Sequence, residues 1–375
     1  MSAAENPTNR TFQLCLIVTE KCNLNCSYCF CDKTLNKSMD LETACKEIDK
    51  AFAENGETDD ELNILLMGGE PFIEFYLIRQ IVDYVRSDYK NQKVVFKAVT
   101  NGTLVHGEIQ DWLLANSDIF KVELSLDGFE ADHNKFRSNS YSQIDFSFFS
   151  NLSKSVVSTV IIPETLGKLS GNIIFLSEKG YTIKSVIADG VDWSAEANAE
   201  VLAKQLMLLI EYYLKHPQKY PFNLLSLATY CVDSSYNLPK CSPGFSSKAV
   251  AADGSELACH RCSSYYNTGE WKIPAEDIDL KEIEYLNDAC KNCCVKDICN
   301  TCPASIASVR NHKEQSEMSC RFSKILFYAN AYFHIRLLTE CPDHIFFKNR
   351  DTKQKRAMLN GSQYILKHLN PEVAF

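Results

Sequence analysis

The chain has 375 residues, 45% of them hydrophobic, and a net charge of −9 with a sequence pI of about 5.5. That length and apolar content support one large domain plus a smaller one, and the acidic balance argues against non-specific nucleic-acid binding, which needs a basic field. The first ten residues are polar rather than a secretory signal, and no apolar run is long enough to span a membrane, so the sequence predicts a cytoplasmic protein with no membrane partner. Seventeen cysteines need a reason. In a reducing compartment they are metal ligands or catalytic groups more often than disulfides. None falls between residues 46 and 230, and most lie between 231 and 320.

From residue 12 to about 190, strand-like and helix-like runs alternate. Short apolar or β-branched strands are predicted over residues 12–18, 62–66, 94–99, 120–126, 156–162 and 183–188, with amphipathic helices over 41–52, 75–85, 109–115 and 166–177. Alternation of this kind predicts a parallel sheet with helices outside it. Six such units predict an α/β fold, a partial (β/α)6 barrel of the TIM type. A Rossmann reading is weaker, because no Gly-x-Gly-x-x-Gly follows a strand. A helix over 195–214 closes the barrel. The expected layout is a tail (1–11), the barrel (12–214), a connector (215–238), a cysteine-rich domain (239–322) and C-terminal helices (323–375). Within the last segment a helix is predicted over 323–338, and the basic run 348–356 reads as a solvated turn before a final helix.

In a parallel barrel the active site lies at the carboxyl ends of the strands, and the distinctive loops stand there. The first carries Cys22, Cys26 and Cys29, with three and then two residues between them. Three thiolates can hold three irons of a four-iron cluster, leaving one iron open for chemistry. A structural zinc ion wants four ligands, and no fourth stands at zinc-finger spacing. The bland alternative is three buried thiols. Gly68-Gly69-Glu70-Pro71 follows the second strand. Paired glycines let the backbone approach a ligand, and backbone carbonyls with a carboxylate accept hydrogen bonds from an ammonium group. Thr100 and Asn101 line the same cavity after the third strand. At the fourth, Ser125 and Arg137 are candidates to orient a carboxylate and a ribose, since Arg suits bidentate carboxylate binding. Asp127 reads as holding its own turn.

The second cysteine region runs Cys241, Gly254, Cys259, Cys290, Cys293, Cys299, Cys302 and Cys320. Taken alone, Cys290 to Cys302 reads as a zinc ribbon. Cys262 and Cys294 are spare thiols beside candidate ligands, and Cys15, Cys31, Cys45, Cys231 and Cys341 read as non-ligands.

The three-cysteine spacing, with the aromatic Tyr28 before the last cysteine, resembles the radical S-adenosylmethionine (SAM) enzymes. The later order resembles their SPASM extension: Cys, Gly-x4-Cys, Cys-x2-Cys-x5-Cys with one more Cys, then a final Cys. The chain departs where Cys299 and Cys302 have two residues between them instead of the usual three. The resemblance implies SAM and three 4Fe-4S clusters as cofactors. It implies Tyr28, Gly68, Gly69, Glu70, Pro71, Thr100, Asn101, Ser125 and Arg137 as the SAM site. Cys22, Cys26 and Cys29 would hold the SAM-binding cluster. Cys290, Cys293, Cys299 and Cys320 would hold an outer auxiliary cluster, and Cys241, Cys259 and Cys302 an inner one. Sulfatase-maturing relatives have another cysteine six residues after the first of these; here that position is Ser247. Either Cys262 fills the gap, or one iron is open to a substrate thiolate.

The implied mechanism is reductive. An electron from a low-potential donor of flavodoxin or ferredoxin type cleaves SAM to methionine and a 5′-deoxyadenosyl radical, which abstracts a substrate hydrogen. SPASM enzymes mostly modify peptides, so the implied function is a maturase forming a thioether or carbon–carbon crosslink in a ribosomally made precursor peptide. The alternative is formylglycine formation by a sulfatase-type maturase. In that group an aspartate base follows the Gly-x4-Cys cysteine; His260 stands there in this chain and is the candidate base. A non-catalytic zinc or iron–sulfur scaffold is a further alternative, and RNA modification is disfavoured by the charge. About ten residues precede the first strand, so leader recognition is expected from the barrel, the C-terminal helices or a separate leader-binding protein.

Overall fold

The computed structural model describes residues 12–55, 61–152, 156–230, 247–266, 273, 286, 288–299, 302–309 and 312–373. Six βα units come first in the chain. Strand β1 (Phe12–Thr19) is followed by helix α1 (Leu41–Asn55), β2 (Leu62–Gly68) by α2 (Phe75–Asp88), and β3 (Val94–Thr100) by α3 (Glu108–Ala115). Strand β4 (Phe120–Ser125) leads to the short helices α4 (Glu130–Phe136) and α5 (Phe146–Asn151), and β5 (Val156–Ile161) to α6 (Pro163–Leu166) and α7 (Leu169–Glu178). After β6 (Thr182–Ile187), the long helix α8 (Ala197–Lys215) packs on α6 and α7.

All pairings from β1 to β6 are parallel and sequential, as in an opened (β/α) barrel. Leu14, Leu16 and Val18 on one face of β1 are 0–1% exposed, and Cys15 and Ile17 on the other are 2% and 0% exposed. Burial on both faces is why this strand reads as an unbroken apolar run. Helix α2 buries Phe75, Leu77, Ile78, Ile81, Val82 and Val85, an apolar stripe at helical spacing that covers the sheet.

The cysteine-rich region adds to this sheet. Strand β7 (Ser247–Val250) pairs parallel with β1, and β8 (Glu256–Leu257) pairs antiparallel with β7, so the order is β6-β5-β4-β3-β2-β1-β7-β8. Among the described residues three α-helices follow: α9 (Pro303–Val309), α10 (Lys313–Glu340) and α11 (Thr352–His368). Among the described residues no helix is long and apolar enough to cross a membrane.

Several sequence expectations need correction. The helix expected over 166–177 is two helices broken at Gly167 and Lys168. The helix expected over 323–338 starts ten residues earlier and so includes Cys320. Lys353 to Arg356 are not in a turn but in the first turns of α11, which Asp351 caps by accepting from Gln354 N at 2.7 Å. The expected connector does more than connect. Asn223 accepts from Ser185 N at 2.6 Å and donates to Ser185 O at 2.9 Å, so its amide satisfies the free edge of β6 as a neighbouring strand would. Residues 231–246, with Cys231 and Cys241, lie outside the described residues.

Candidate cofactor and cluster site

The cysteine loop leaves β1 and returns beside it. Glu20 N donates to Lys37 O at 2.8 Å, and Met39 N to Val18 O at 3.0 Å. This neck closes a loop that carries Cys22, Cys26 and Cys29. The loop is then tied to three strand ends. Gly69 N donates to Thr19 O at 3.1 Å and Glu70 N to Lys21 O at 2.9 Å, which fastens it to the Gly68–Glu70 turn after β2. Asn23 Nδ2 donates to Thr103 Oγ1 (2.8 Å), Thr103 Oγ1 to Asn101 Oδ1 (2.7 Å), and Asn101 Nδ2 back to Asn23 Oδ1 (2.9 Å). That closed ring of bonds joins it to the turn after β3. Ser27 N donates to Phe136 O (2.9 Å) and Asn25 N to Ser138 Oγ (2.8 Å), joining it to the segment after β4.

Glycine is required at the closest of these approaches. A Cβ on Gly68 would stand 2.2 Å from Thr19 O. One on Gly69 would stand 2.3 Å from Lys21 O and 2.6 Å from Cys22 Cβ. Any side chain there would push the two loops apart.

Glu70 is fully buried. Its Oε1 accepts from Thr100 Oγ1 (2.7 Å) and Phe72 N (3.2 Å), and its Oε2 from Asn101 N (2.7 Å). Burial pushes this carboxyl up to about 7, against the pull of those three donors. Thr100, Asn101 and Glu70 are therefore one assembly, with Pro71 starting the short 3₁₀ turn that Glu70 caps. Ser125 ends β4 half-buried in the same ring of strand ends.

Asp127 does not merely hold its own turn. Arg137 gives it two bonds, from Nε at 2.7 Å and Nη2 at 3.1 Å. Tyr28 donates to it at 2.5 Å and Val160 N at 3.0 Å. Burial pushes the Asp127 carboxyl up, but Arg137, Tyr28 and the Val160 amide outweigh it and hold the group below the usual carboxylate range. The Arg137 fork thus faces a protein carboxylate, with the Tyr28 ring stacked 5.3 Å from its guanidinium carbon. Close by, His133 is buried, and its Nε2 lies 3.0 Å from Ser140 Oγ. Burial and the Arg137 charge push it down to about 4.

The three loop thiols are half-buried and mutually close enough to raise one another's proton affinity. Burial pushes Cys22 and Cys26 up. The neighbouring thiol of Cys31, a residue expected to be a bystander, holds Cys29 down against the push of burial, helped by the Cys31 amide and Lys33. Lys33 is a cation that the sequence reading missed; it feels Cys29, Cys22 and Cys31.

Two further cysteine groups form in the later region. The Cys320 thiol is pushed up to about 11 by burial and by Cys290, Cys293 and Cys299, so α10 brings these four together. Cys259, Cys262 and Cys302 pack around Ile273, Ala304 and Ala307, and Cys262 N donates to Cys259 O at 2.9 Å. No disulfide joins two cysteines among the described residues. Among those residues no three such side chains stand close enough to close round a single metal ion. Soft thiols that raise one another's proton affinity fit polynuclear iron, where each sulfur binds a separate corner and its charge is neutralised.

A short segment links the two halves. Arg261 Nη1 bonds Asp189 Oδ2 at 2.8 Å, beyond the end of β6, and its guanidinium lies 4.8 Å from the Phe30 ring centre. Tyr265 O accepts from Asp32 N at 2.8 Å, and Tyr266 donates to Gly68 O at 3.0 Å. His260 lies edge-on to Tyr266, with Nδ1 3.9 Å from Cys259 Sγ; burial, then Arg261, pushes it down to about 4. No motif drew attention to Tyr265 or Tyr266.

Fold and site together define a parallel-sheet α/β protein whose strand ends carry a thiol loop, flanked by further thiol groups. Over residues 11–144 the chain matches the family described as a 4Fe-4S single cluster domain. It is 40% identical over 117 residues to an uncharacterised protein of Methanocaldococcus jannaschii, covering 31% of this chain and 39% of that one. It is 31% identical over 115 residues to the radical SAM cyclopropyl synthase TigE of Paramaledivibacter caminithermalis (26% and 24% covered). Over 134 residues it is 32% identical to the cysteine-type anaerobic sulfatase-maturating enzyme of Clostridium novyi (32% and 33%). The matched segments span well under half the length of these relatives.

Among solved structures, native anSMEcpe with bound AdoMet and Kp18Cys peptide superposes with a TM-score of 0.62 at 18% identity, covering 85% of this chain and 99% of that one. Streptococcus suis SuiB bound to its precursor peptide SuiA gives 0.55 at 14% identity (77% and 71%). Over these segments the chain is similar in sequence to a radical SAM cyclopropyl synthase and a sulfatase-maturating enzyme, and it shares the fold of the solved maturases.

Proposed function

We propose that this protein is a radical SAM maturase that modifies a ribosomally made peptide and forms a thioether or carbon–carbon crosslink. One observation carries the reading. The Cys22–Cys29 loop is bonded directly to the Gly68–Glu70 turn at the strand ends, and the segment from Cys259 to Tyr266 reaches both. When bound, a four-iron cluster and SAM supply one-electron, hydrogen-abstracting chemistry.

The chain's own part is to hold and orient. Cys22, Cys26 and Cys29 hold the first cluster. Glu70 fixes the Gly-Gly turn so that its backbone carbonyls meet an ammonium group. Asp127, Arg137 and Tyr28 form the wall beside it, and Ser125 lies at the strand end. Cys290, Cys293, Cys299 and Cys320 hold an outer cluster. Cys262 joins Cys259, Cys302 and Cys241 at an inner one, so that the substrate supplies no thiolate there. His260, between Cys259 and Tyr266, takes the substrate proton. The partners are the precursor peptide, a low-potential flavodoxin or ferredoxin, and a leader-binding protein where the barrel does not bind the leader itself. Support comes from TigE and from peptide-bound structures of the same fold.

The test is the mass of a candidate peptide encoded beside this gene and co-expressed with it anaerobically. Loss of two hydrogens per event, with matching loss of alkylatable thiols, supports a thioether. The same loss with all thiols free supports a carbon–carbon bond. An unchanged mass in a preparation that still cleaves SAM rejects peptide crosslinking. The similarity to a cysteine-type sulfatase-maturating enzyme favours a second reading, formylglycine formation, which the same assay reports as a carbonyl-reactive product. The variant His260→Gln is expected to retain SAM cleavage and lose product formation at least about 100-fold.

A further inference from the structure

Tyr265 is a buried hydrogen-bond donor with no partner in hydrogen-bond geometry among the described residues. It is 0% exposed. Its ring lies in a buried cluster with Ile17 and Tyr266, against which Phe30, Cys31, Leu35 and Met67 pack, so the hydroxyl cannot swing out to water. Its backbone is pinned as well, by the bond from Asp32 N. A buried phenol normally finds a partner, and an exception of this kind marks a place where a group outside the polypeptide supplies one.

The position of the hydroxyl narrows that group. A Cβ built on Gly69 would lie 2.6 Å from the Tyr265 hydroxyl and 2.6 Å from Cys22 Cβ. The phenol thus touches the Gly-Gly turn on the side that faces the cysteine loop. Cys31 is the nearest polar neighbour that the hydroxyl feels, but the two do not meet in hydrogen-bond geometry. The neighbouring Tyr266 shows the contrast: its hydroxyl is satisfied by Gly68 O. The acceptors that a cluster on Cys22, Cys26 and Cys29 would bring to this spot are sulfurs, either thiolate or sulfide.

We propose that Tyr265 donates a hydrogen bond to a sulfur of the cluster held by Cys22, Cys26 and Cys29, and thereby raises that cluster's reduction potential. The proposal rests on the reading that those three cysteines hold a four-iron cluster. A donor aimed at a cluster sulfur stabilises the reduced, more negative state, so losing it makes reduction harder. The donor comes from the segment that begins at Cys259, so the second cysteine region sets the redox poise of the first.

The test is an EPR-monitored redox titration of the full chain, reconstituted anaerobically with iron and sulfide and without added SAM. The signal of interest is the one missing from the Cys22→Ala/Cys26→Ala/Cys29→Ala variant. Tyr265→Phe is expected to shift the midpoint of that signal to more negative potential, with the other signals unmoved. An unchanged midpoint at full iron content overturns the role of Tyr265 and leaves the cluster reading standing. If the triple variant loses neither signal nor iron, both fall. Omitting SAM separates a sulfur acceptor from a cofactor carboxylate, because only the former gives a shift without the cofactor. Should Tyr265→Phe fail to load iron, 3-fluorotyrosine at position 265 keeps the ring and strengthens the donor. It is expected to shift the midpoint to more positive potential, and no shift overturns the proposal.

Discussion

Asp127 gathers donors from three parts of the chain: Arg137, Tyr28 and the Val160 amide. Removing the carboxylate leaves the buried Arg137 charge uncompensated, which typically costs about 3–5 kcal/mol. Asp127→Ala is therefore expected to lower unfolding stability by that amount in urea titrations, while Ser147→Ala, at an exposed position of α5, changes it little. Glu70 behaves in the opposite sense. Its carboxyl is raised to about 7 in the folded chain, so between the unfolded carboxylate range and pH 7 the native state holds the extra proton. Stability contributed by that proton is full below about pH 4.5 and is lost as pH rises through about 7, a span of roughly 3 kcal/mol. Unfolding of wild type and Glu70→Gln, compared from pH 5 to 8, should show the wild type losing more stability with rising pH. Parallel curves would remove the argument.

The elements meet where glycine lets them. The turn after β2 approaches the cysteine loop so closely that a Gly69→Ala methyl would overlap Lys21 O and Cys22 Cβ. On the proposed assignment that variant should lose the iron of the Cys22–Cys29 site and keep any iron at the later cysteines, read by Mössbauer spectroscopy with iron and sulfide counts. Retention of all iron would show that the loop can give way. The same scale explains the corrected boundaries. The helix expected over 166–177 breaks at Gly167 and Lys168, where two short helices must pack separately on α8. Helix α10 starts early because Met318 and Phe322 are already buried in its first turns. Asn223 reaches the β6 edge by a side-chain contact 38 residues away, which no local pattern announces.

Across the whole molecule, β7 extends the barrel sheet beside β1, so the cysteine-rich region is built onto the barrel's first strand. That attachment carries Cys259, Cys262, Tyr265 and Tyr266 towards the thiol loop. Cys262 packs with Cys259 and Cys302 around one apolar spot, so on the proposed assignment Cys262→Ser is expected to lose or alter an inner-cluster EPR signal and leave an outer one intact. An unaltered inner signal would return the open-iron reading. The sequence by itself determined the barrel strands to within two residues, since strands buried on both faces must be written as continuous apolar runs. It also located the thiol loop, because Cys22, Cys26 and Cys29 lie close together along the chain. Only the tertiary structure decided the occupation of the Arg137 fork, the grouping of Cys262, and the arrival of Tyr266 at a carbonyl 198 residues away. Those contacts join residues whose spacing has no period, and the packing of one region on another, rather than any local preference, brings them together.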